Sequence, residues 1–149
     1  MIPVVWRVEV DLTQRLAQRG RELAQRESQH TEELELARRH SQELHALVER
    51  AIDAFHASCR EAGASHLEVV LSSPRLDDKH FHSVQFDVQR GRYRGIVTVK
   101  SRGEVTLVGP FHAGKQEGPC KSFPLDQRSE IEAGLDEFFV EFLDEAFKP

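Results

Sequence analysis

The sequence predicts an α+β fold: a long N-terminal helical segment, an antiparallel β-meander of four to five strands, and a C-terminal amphipathic helix packed on one face of the sheet. Three observations predict it. Residues 12–62 contain no proline and consist mostly of good helix formers. Short runs of alternating apolar and polar residues follow, joined by glycine-containing turns. The last segment carries an apolar stripe at helical spacing.

We expect the chain to divide at residue 62, into a short strand plus a long helical segment over residues 1–62 and an α+β domain over residues 63–149. Residues 4–10 alternate between apolar and mixed positions, which is typical of a strand. Asp11 and Gln14 form a capping-box pattern that starts the helix. A helix from there to residue 62 would span about 75 Å. This length exceeds the diameter of so small a domain, so the helix must project, bend or pair.

A heptad-like apolar seam runs through the second half of this segment. We predict that it makes a homodimer, partly in the manner of a coiled coil, through four residues: Leu34, Leu44, Val48 and Phe55. The same stripe could instead pack on the sheet. Residues 24–33 offer almost nothing to bury, which predicts a solvated helix, a frayed arm, or a break near residues 27–31.

The predicted sheet begins with a strand in residues 66–72, and residues 80–88 show the best alternation in the chain. Glycine-containing turns then lead to strands at residues 93–100 and 105–108, which is typical of an antiparallel meander. Residues 120–124 return as a further short strand. The closing helix begins at Asp126 or Ser129, and its apolar stripe covers one face of the sheet while its acidic residues face water.

The stretch from Gly109 to Lys115 matches the letters of a phosphate-binding loop. Such a loop needs a helix after its lysine and a hydroxyl for magnesium. Gln116 replaces the hydroxyl, and Gly118 with Pro119 prevents the helix. We therefore expect a connection between strands and no nucleotide.

Zinc-compatible side chains are present without a zinc motif. His80 and His82 project from the same face of one strand, and His112 with Cys120 would complete a ligand set. Eight histidines in the chain make one such pair unsurprising, so we predict neither a metal nor a cofactor. No nucleophile motif surrounds Cys59 or Cys120. The sequence thus predicts a protein that is not an enzyme, with a small metal-dependent enzyme as the second alternative.

The charge layout is uneven. The net charge is −5, yet residues 89–121 carry seven basic and two acidic residues, and residues 122–149 carry two and eight. Arg94 and Lys100 lie on one face of the second meander strand, with Arg92 and Arg102 at its flanking turns. We predict that Arg92, Arg94, Lys100 and Arg102 bind an acidic partner protein. The alternative is a nucleic-acid or phosphate-ligand binding module that uses the same face.

Together these patterns favour a non-catalytic protein–protein interaction protein, adaptor-like or chaperone-like by architectural analogy alone. Its expected partners are another protein and a second copy of itself. The first residues show no basic leader or cleavage pattern, and the two cysteines imply no disulfide framework. No stretch approaches the roughly 18 apolar residues of a membrane span. We therefore expect a cytoplasmic protein.

Overall fold

A computed structural model of the chain describes residues 4–77, 82–114 and 118–149, with side chains from residue 11 onward. It confirms the predicted α+β class with its antiparallel sheet. The elements in chain order are α1 (Val4–Glu61), β1 (Val70–Leu71), β2 (Arg75–Leu76), β3 (Ser83–Arg90), β4 (Tyr93–Lys100), β5 (Glu104–His112), β6 (Cys120–Pro124) and α2 (Arg128–Ala146).

The first helix begins earlier than the sequence predicts. Residues 4–10, predicted as a strand, belong to α1. A residue added to an existing helix gains a hydrogen bond at once, whereas a strand is stable only beside a partner strand. The weakly apolar residues 24–33 are helical as well, so the suspected break near residues 27–31 does not occur in the secondary structure.

The chain divides into two compact units after Glu33, and the predicted boundary lay at residue 62. The second unit, Leu34–Pro149, contains the later part of α1 together with the sheet and α2. In the first unit, the described side chains lie on a helix and include an exposed ion pair between Arg19 and Glu22 at 3.0 Å. None of the side chains described in residues 11–33 is buried.

The strands β3, β4, β5 and β6 form an antiparallel meander in which each strand pairs with the next along the chain. Both β1 and β2 pair with the other edge of β3. Ser72 follows β1, and its backbone N–H donates to the carbonyl of Asp87 at 2.8 Å. The two short strands therefore act as one edge strand that is interrupted at residues 72–74.

One face of the sheet is the core of the second unit. The alternation of β3 and β4 places Val84, Phe86, Val97 and Val99 on this face, as the sequence predicts, and each is at most 1% exposed. Side chains from α1 and α2 pack on it: Ala37, Leu44, Val48, Ile131, Leu135 and Phe138. Within the described residues, no helix has both the length and the apolar character needed to cross a membrane.

Close packing of α2 on β4 depends on Gly95. A Cβ placed at Gly95 would lie 2.8 Å from Cζ of Phe138 and 3.3 Å from Cγ1 of Val88. The missing side chain thus lets the Phe138 ring approach the strand backbone, which fixes the distance between α2 and the sheet.

Candidate protein-binding groove

An apolar groove opens between the two helices of the second unit. Leu47, Ala51 and Phe55, spaced four residues apart, form its α1 wall. Its α2 wall runs from residue 132 to residue 143, and Val69 and Val88 form its floor. The cavity volume is about 390 Å³, within the range of pockets that bind ligands or partner side chains.

The groove exists because the apolar surface of α2 is wider than the core requires. Leu135, Phe138 and Phe142 are buried, while Phe139 beside them is half-buried. Val140 is 53% exposed and lines the groove. A helix that needed only to cover the sheet would carry polar residues at these last two positions, so α2 has more apolar surface than the core covers.

The mouth of the groove is negatively charged. Among the described residues that line it, two are charged: Glu132 and Asp136, which lie one turn apart on α2. Arg128 donates a hydrogen bond from Nε to Glu132 at 3.1 Å and from Nη1 to Glu43 of α1 at 3.4 Å. All three side chains of this bridge are about half exposed, so each pair contributes little stability. The bridge nevertheless links the two walls beside the acidic mouth.

Aromatic contacts lie beside the groove where α1 ends. The ring of Phe55 is 5.8 Å from that of Phe147, and the Arg90 guanidinium lies 4.0 Å from the centre of the Phe147 ring. Arg90 also donates from Nη1 to the carbonyl of Glu68 at 2.7 Å. Such a cation–π contact contributes about 0.5–1 kcal/mol at an exposed site. These contacts hold the end of α2 against α1 and β3.

A histidine fixes the floor of the groove. The backbone N–H of Val69 donates to Nε2 of His56 at 3.1 Å. Since a ring nitrogen that accepts a hydrogen bond carries no proton, this contact requires the tautomer protonated at Nδ1. His56 therefore ties the end of α1 to the residue that precedes β1.

Most of the residues predicted to form the helix–helix contact of a homodimer are buried or partly buried in the core of the second unit. Leu44 and Val48 are 1% and 4% exposed and belong to the core, and Leu34 is partly buried against it. Phe55 lines the groove. The stripe therefore packs on the sheet. Its spacing was equally compatible with pairing between two helices, but Leu44 and Val48 are not on the surface.

The predicted arginine surface lies on the opposite face of the sheet and is largely neutralised by carboxylates of the same sheet. Arg94 donates from Nε to Oδ2 of Asp87 at 2.7 Å, and Arg75 lies 3.6 Å from the same oxygen. Ser72 Oγ accepts from the backbone N–H of Asp87 at 2.9 Å. Burial raises the pKa of Asp87, but hydrogen bonds from Ser72 and Arg94 and the charges of both arginines together lower it below its usual value.

Two more of the predicted cations share one acid. Lys100 and Arg102 approach Oε1 of Glu104 at 3.4 and 3.8 Å. Burial raises the pKa of Glu104, yet the hydrogen bond and charge of Lys100 outweigh it and the pKa is lowered. Arg92 is exposed at the turn before β4. Three of the four predicted residues thus already face a carboxylate of this chain.

The zinc-compatible side chains that the structure describes do not form one cluster. His82 precedes Ser83, which pairs with Lys100 at one end of β4, whereas His112 pairs with Tyr93 at the other end. Eight strand residues separate these ends by more than 20 Å at about 3.4 Å each, too far for one ion. Cys120 is exposed on β6, and His80 lies outside the described residues. In the part of the chain that the structure describes, no three His, Cys, Asp or Glu side chains cluster to hold a metal.

The segment that resembles a phosphate-binding loop is partly strand. Residues 109–112 belong to β5, which extends beyond its predicted end at Val108. The backbone N–H of Gly109 donates to the carbonyl of Pro119 at 2.7 Å. Residues 115–117 lie outside the described residues, and β6 follows at Cys120, so the described part of the segment contains no helix that could hold a phosphate.

Comparison with models of known protein families, with curated proteins and with solved structures finds no match. The groove itself is absent from the sequence-based prediction, which assigned Glu132 and Asp136 to a solvated face. One signal could have found it. The run Phe138-Phe139-Val140 places apolar residues over an arc too wide for a helix that covers one sheet.

Proposed function

We propose that this chain is a non-catalytic protein-interaction module, adaptor-like or chaperone-like, that binds the apolar face of a partner's amphipathic helix in the groove between α1 and α2. The observation that carries the proposal is the groove itself, with apolar walls and an exposed Val140 beside an acidic mouth. An apolar surface rimmed by charge is typical of a protein-binding site.

The dimensions of the groove favour a helix as its occupant. Residues 47–55 and 132–143 form its walls, which correspond to about 12 and 17 Å of helix. This length matches two to three helical turns, whose apolar side chains at positions i, i+4 and i+7 enter such grooves in other helix-binding proteins. The two helical walls and the apolar floor provide the matching surface.

The charge at the mouth selects the partner's chemistry. Asp136 and Glu132, of which Glu132 is already paired with Arg128, leave the mouth with a net negative charge. This charge would repel an anionic head group, such as that of a fatty acid, and attract lysine or arginine beside a partner's apolar stripe. The proposed partner is therefore basic along one flank. This chemistry differs from the acidic partner that the sheet arginines predict, because those arginines face acids of their own sheet.

The two alternatives from the sequence receive less support. A nucleic-acid or phosphate-ligand module needs cations that are free to meet phosphate, and Arg94, Lys100 and Arg102 each lie beside a carboxylate. A metal-dependent enzyme needs ligands that converge, and His82 and His112 lie at opposite ends of β4. The free thiols of Cys59 and Cys120 fit the proposed cytoplasmic location.

The test uses two substitutions that block the groove without touching a buried residue. Ala51 and Val140 both line it and are both exposed, so Ala51→Glu and Val140→Glu place charge in the apolar channel. Ala54→Glu and Ala133→Glu make the same change at exposed positions of the same helices outside the groove. A library of displayed 15-residue peptides is selected on the wild-type protein, and enriched peptides are titrated against all four variants.

We expect the enriched peptides to form amphipathic helices with a basic flank, and to lose affinity by at least about tenfold in the two groove variants and by less than about twofold in the controls. Peptides that bind all five proteins equally would show that the groove is not the binding site. Enrichment of acidic peptides whose binding depends on Arg92 or Arg102 would instead identify the arginine-bearing face of the sheet as the binding surface.

A further inference from the structure

Three leucines form an exposed stripe in the first unit. Leu12, Leu16 and Leu23 are 52%, 62% and 52% exposed and lie at positions i, i+4 and i+11 of α1. At 100° per residue these positions fall within about 40° of one another around the helix. The side chains described in residues 11–33 form no core of their own, so this stripe is apolar surface exposed on a solvated helix.

A second stripe, of arginines, runs beside the first. Arg15, Arg19 and Arg26 each follow one of the three leucines by three residues, which places them about 60° around the helix, all on the same flank. All three are exposed, and Arg19 forms an ion pair with Glu22 of its own helix at 3.0 Å. Residues 12–26 are therefore an amphipathic helix with a basic flank on one side.

These residues have the properties that the groove selects. The leucine stripe covers eleven residue steps, about 17 Å, the same length as the α2 wall from residue 132 to residue 143. Arg15 and Arg19 are four residues apart, as are Glu132 and Asp136. The stripe and the groove therefore match in length, in apolar character and in the spacing of their opposite charges.

We propose that residues 12–26 of one copy of this chain dock in the groove of a second copy, with their leucines on its floor and Arg15 and Arg19 beside Glu132 and Asp136. The proposal rests on the proposed function, since it names an occupant of the same groove. Two such contacts, one in each direction, make a closed symmetric dimer.

The source of the docked segment is decided by the mass of the protein. Docking within one copy would leave the mass at that of one chain at every concentration, whereas docking between copies makes the mass rise with concentration.

Under this proposal, residues 12–26 of a second copy and a partner helix compete for the same groove. A partner helix must displace residues 12–26, so the apparent affinity for a partner falls as the concentration of this chain rises. A variant that cannot self-dock should bind peptides in the groove more tightly than the wild type at high protein concentration, and equally well at low concentration.

The test measures the dimer by sedimentation equilibrium of the full chain, from about 1 to about 200 µM, a range that covers typical weak dimers. We expect the wild type to dimerise in this range. Leu16→Glu should weaken the dimer by at least about tenfold, because it places a charge on the apolar floor. Since Leu16 is 62% exposed, this substitution leaves the fold intact, which circular dichroism verifies.

A charge exchange makes the assignment specific. Arg15→Glu with Arg19→Glu should weaken the dimer, as should Glu132→Lys with Asp136→Lys, and the protein that carries all four changes should regain most of the lost affinity. Arg21→Glu lies on the opposite side of the helix, and Glu130→Lys lies on α2 outside the groove, so neither should change the dimer.

A wild-type protein that stays monomeric up to about 200 µM would overturn the proposal. So would a dimer that survives Leu16→Glu, or a fourfold variant that fails to recover. The proposed function can still be tested separately, because the Leu16→Glu variant keeps the groove intact. If this variant fails to bind the selected peptides, the groove is not the binding site. If it binds them while the wild type stays monomeric, the groove binds peptides but the self-docking proposal is wrong.

Discussion

Arg94 donates a hydrogen bond from Nε to Oδ2 of Asp87 at 2.7 Å, and the carboxylate is the better shielded partner, with 9% of its side chain exposed against 29% for the arginine. This pair, on the face of the sheet away from the helices, joins neighbouring strands β3 and β4. Since the shielded group is the acid, its protonation should be visible in the stability of the fold.

The pair predicts loss of stability in acid. The pKa of Asp87 is lower in the folded chain than in the unfolded chain, so its contribution is complete above about pH 4 and is lost as the pH falls through the folded-state value. We expect Asp87→Asn to lower the free energy of unfolding by about 1–3 kcal/mol at pH 7. Urea denaturation from pH 7 to pH 2.5 should show a steeper acid loss in the wild type than in Asp87→Asn. Parallel curves would contradict the assignment to Asp87, because Glu104 titrates in both proteins.

The position of Leu44 in the core predicts a large cost for its truncation. Leu44 is 1% exposed and Leu16 is 62% exposed. We expect Leu44→Ala to lower the free energy of unfolding by about 2–5 kcal/mol, because it leaves a cavity against the sheet. Leu16→Ala should change it by less than about 0.5 kcal/mol. Urea denaturation at a concentration that keeps the chain monomeric measures both. Similar effects at the two positions would mean that Leu44 is not in the core.

Two glycines should respond to alanine in opposite directions. A Cβ at Gly95 would meet the Phe138 ring at 2.8 Å, whereas a Cβ at Gly20 would have no neighbour within 4 Å. We expect Gly95→Ala to destabilise the second unit by about 1–3 kcal/mol through overpacking. Gly20→Ala should instead strengthen its helix by about 0.5–1 kcal/mol. Thermal unfolding monitored by circular dichroism at 222 nm measures both. A neutral Gly95→Ala would show that α2 can move away from the sheet at little cost.

The hydrogen bond from Val69 to His56 predicts that removing the ring nitrogens of His56 destabilises the fold, whereas removing those of an exposed histidine does not. His56→Phe keeps an aromatic ring beside Phe55, whose centroid is 5.6 Å away, but leaves the Val69 N–H without its acceptor. We expect a loss of about 1–2 kcal/mol in the free energy of unfolding. His66→Phe, at an exposed position, is the matched control and should be nearly neutral. Faster amide hydrogen exchange at Val69 in the first variant would locate the effect, and unchanged exchange would contradict it.

Local patterns were sufficient to predict α2 and the meander strands β3 to β6. They did not predict β2, and of the strand predicted at residues 66–72 only Val70–Leu71 is observed. The alternation in Val84, Phe86 and Val88 identifies the buried face because side chains on a strand alternate strictly. The apolar residues of the last segment identify α2 in the same way. Both predictions depend on neighbours within one element, which a sequence displays directly.

Features that depend on two distant segments were not predictable in this way. The seam through Leu44 and Val48 has the same spacing whether it meets a sheet or a second helix, so its partner could not be inferred from spacing. Arg94 was assigned to a basic surface because its acid, Asp87, stands on another strand. The groove needs residues 47–55 beside residues 132–143, and no periodicity within either segment reveals that they face each other.

The two walls of the groove are separated by about half of the chain. Residues 47–55 are synthesised before residues 132–143, and all the strands of the sheet lie between them in the chain. A nascent or truncated chain that lacks α2 therefore presents one wall and an uncovered apolar sheet in place of a binding site. Under the proposed function, binding of a partner helix therefore requires that α2 has been synthesised and has packed on the sheet.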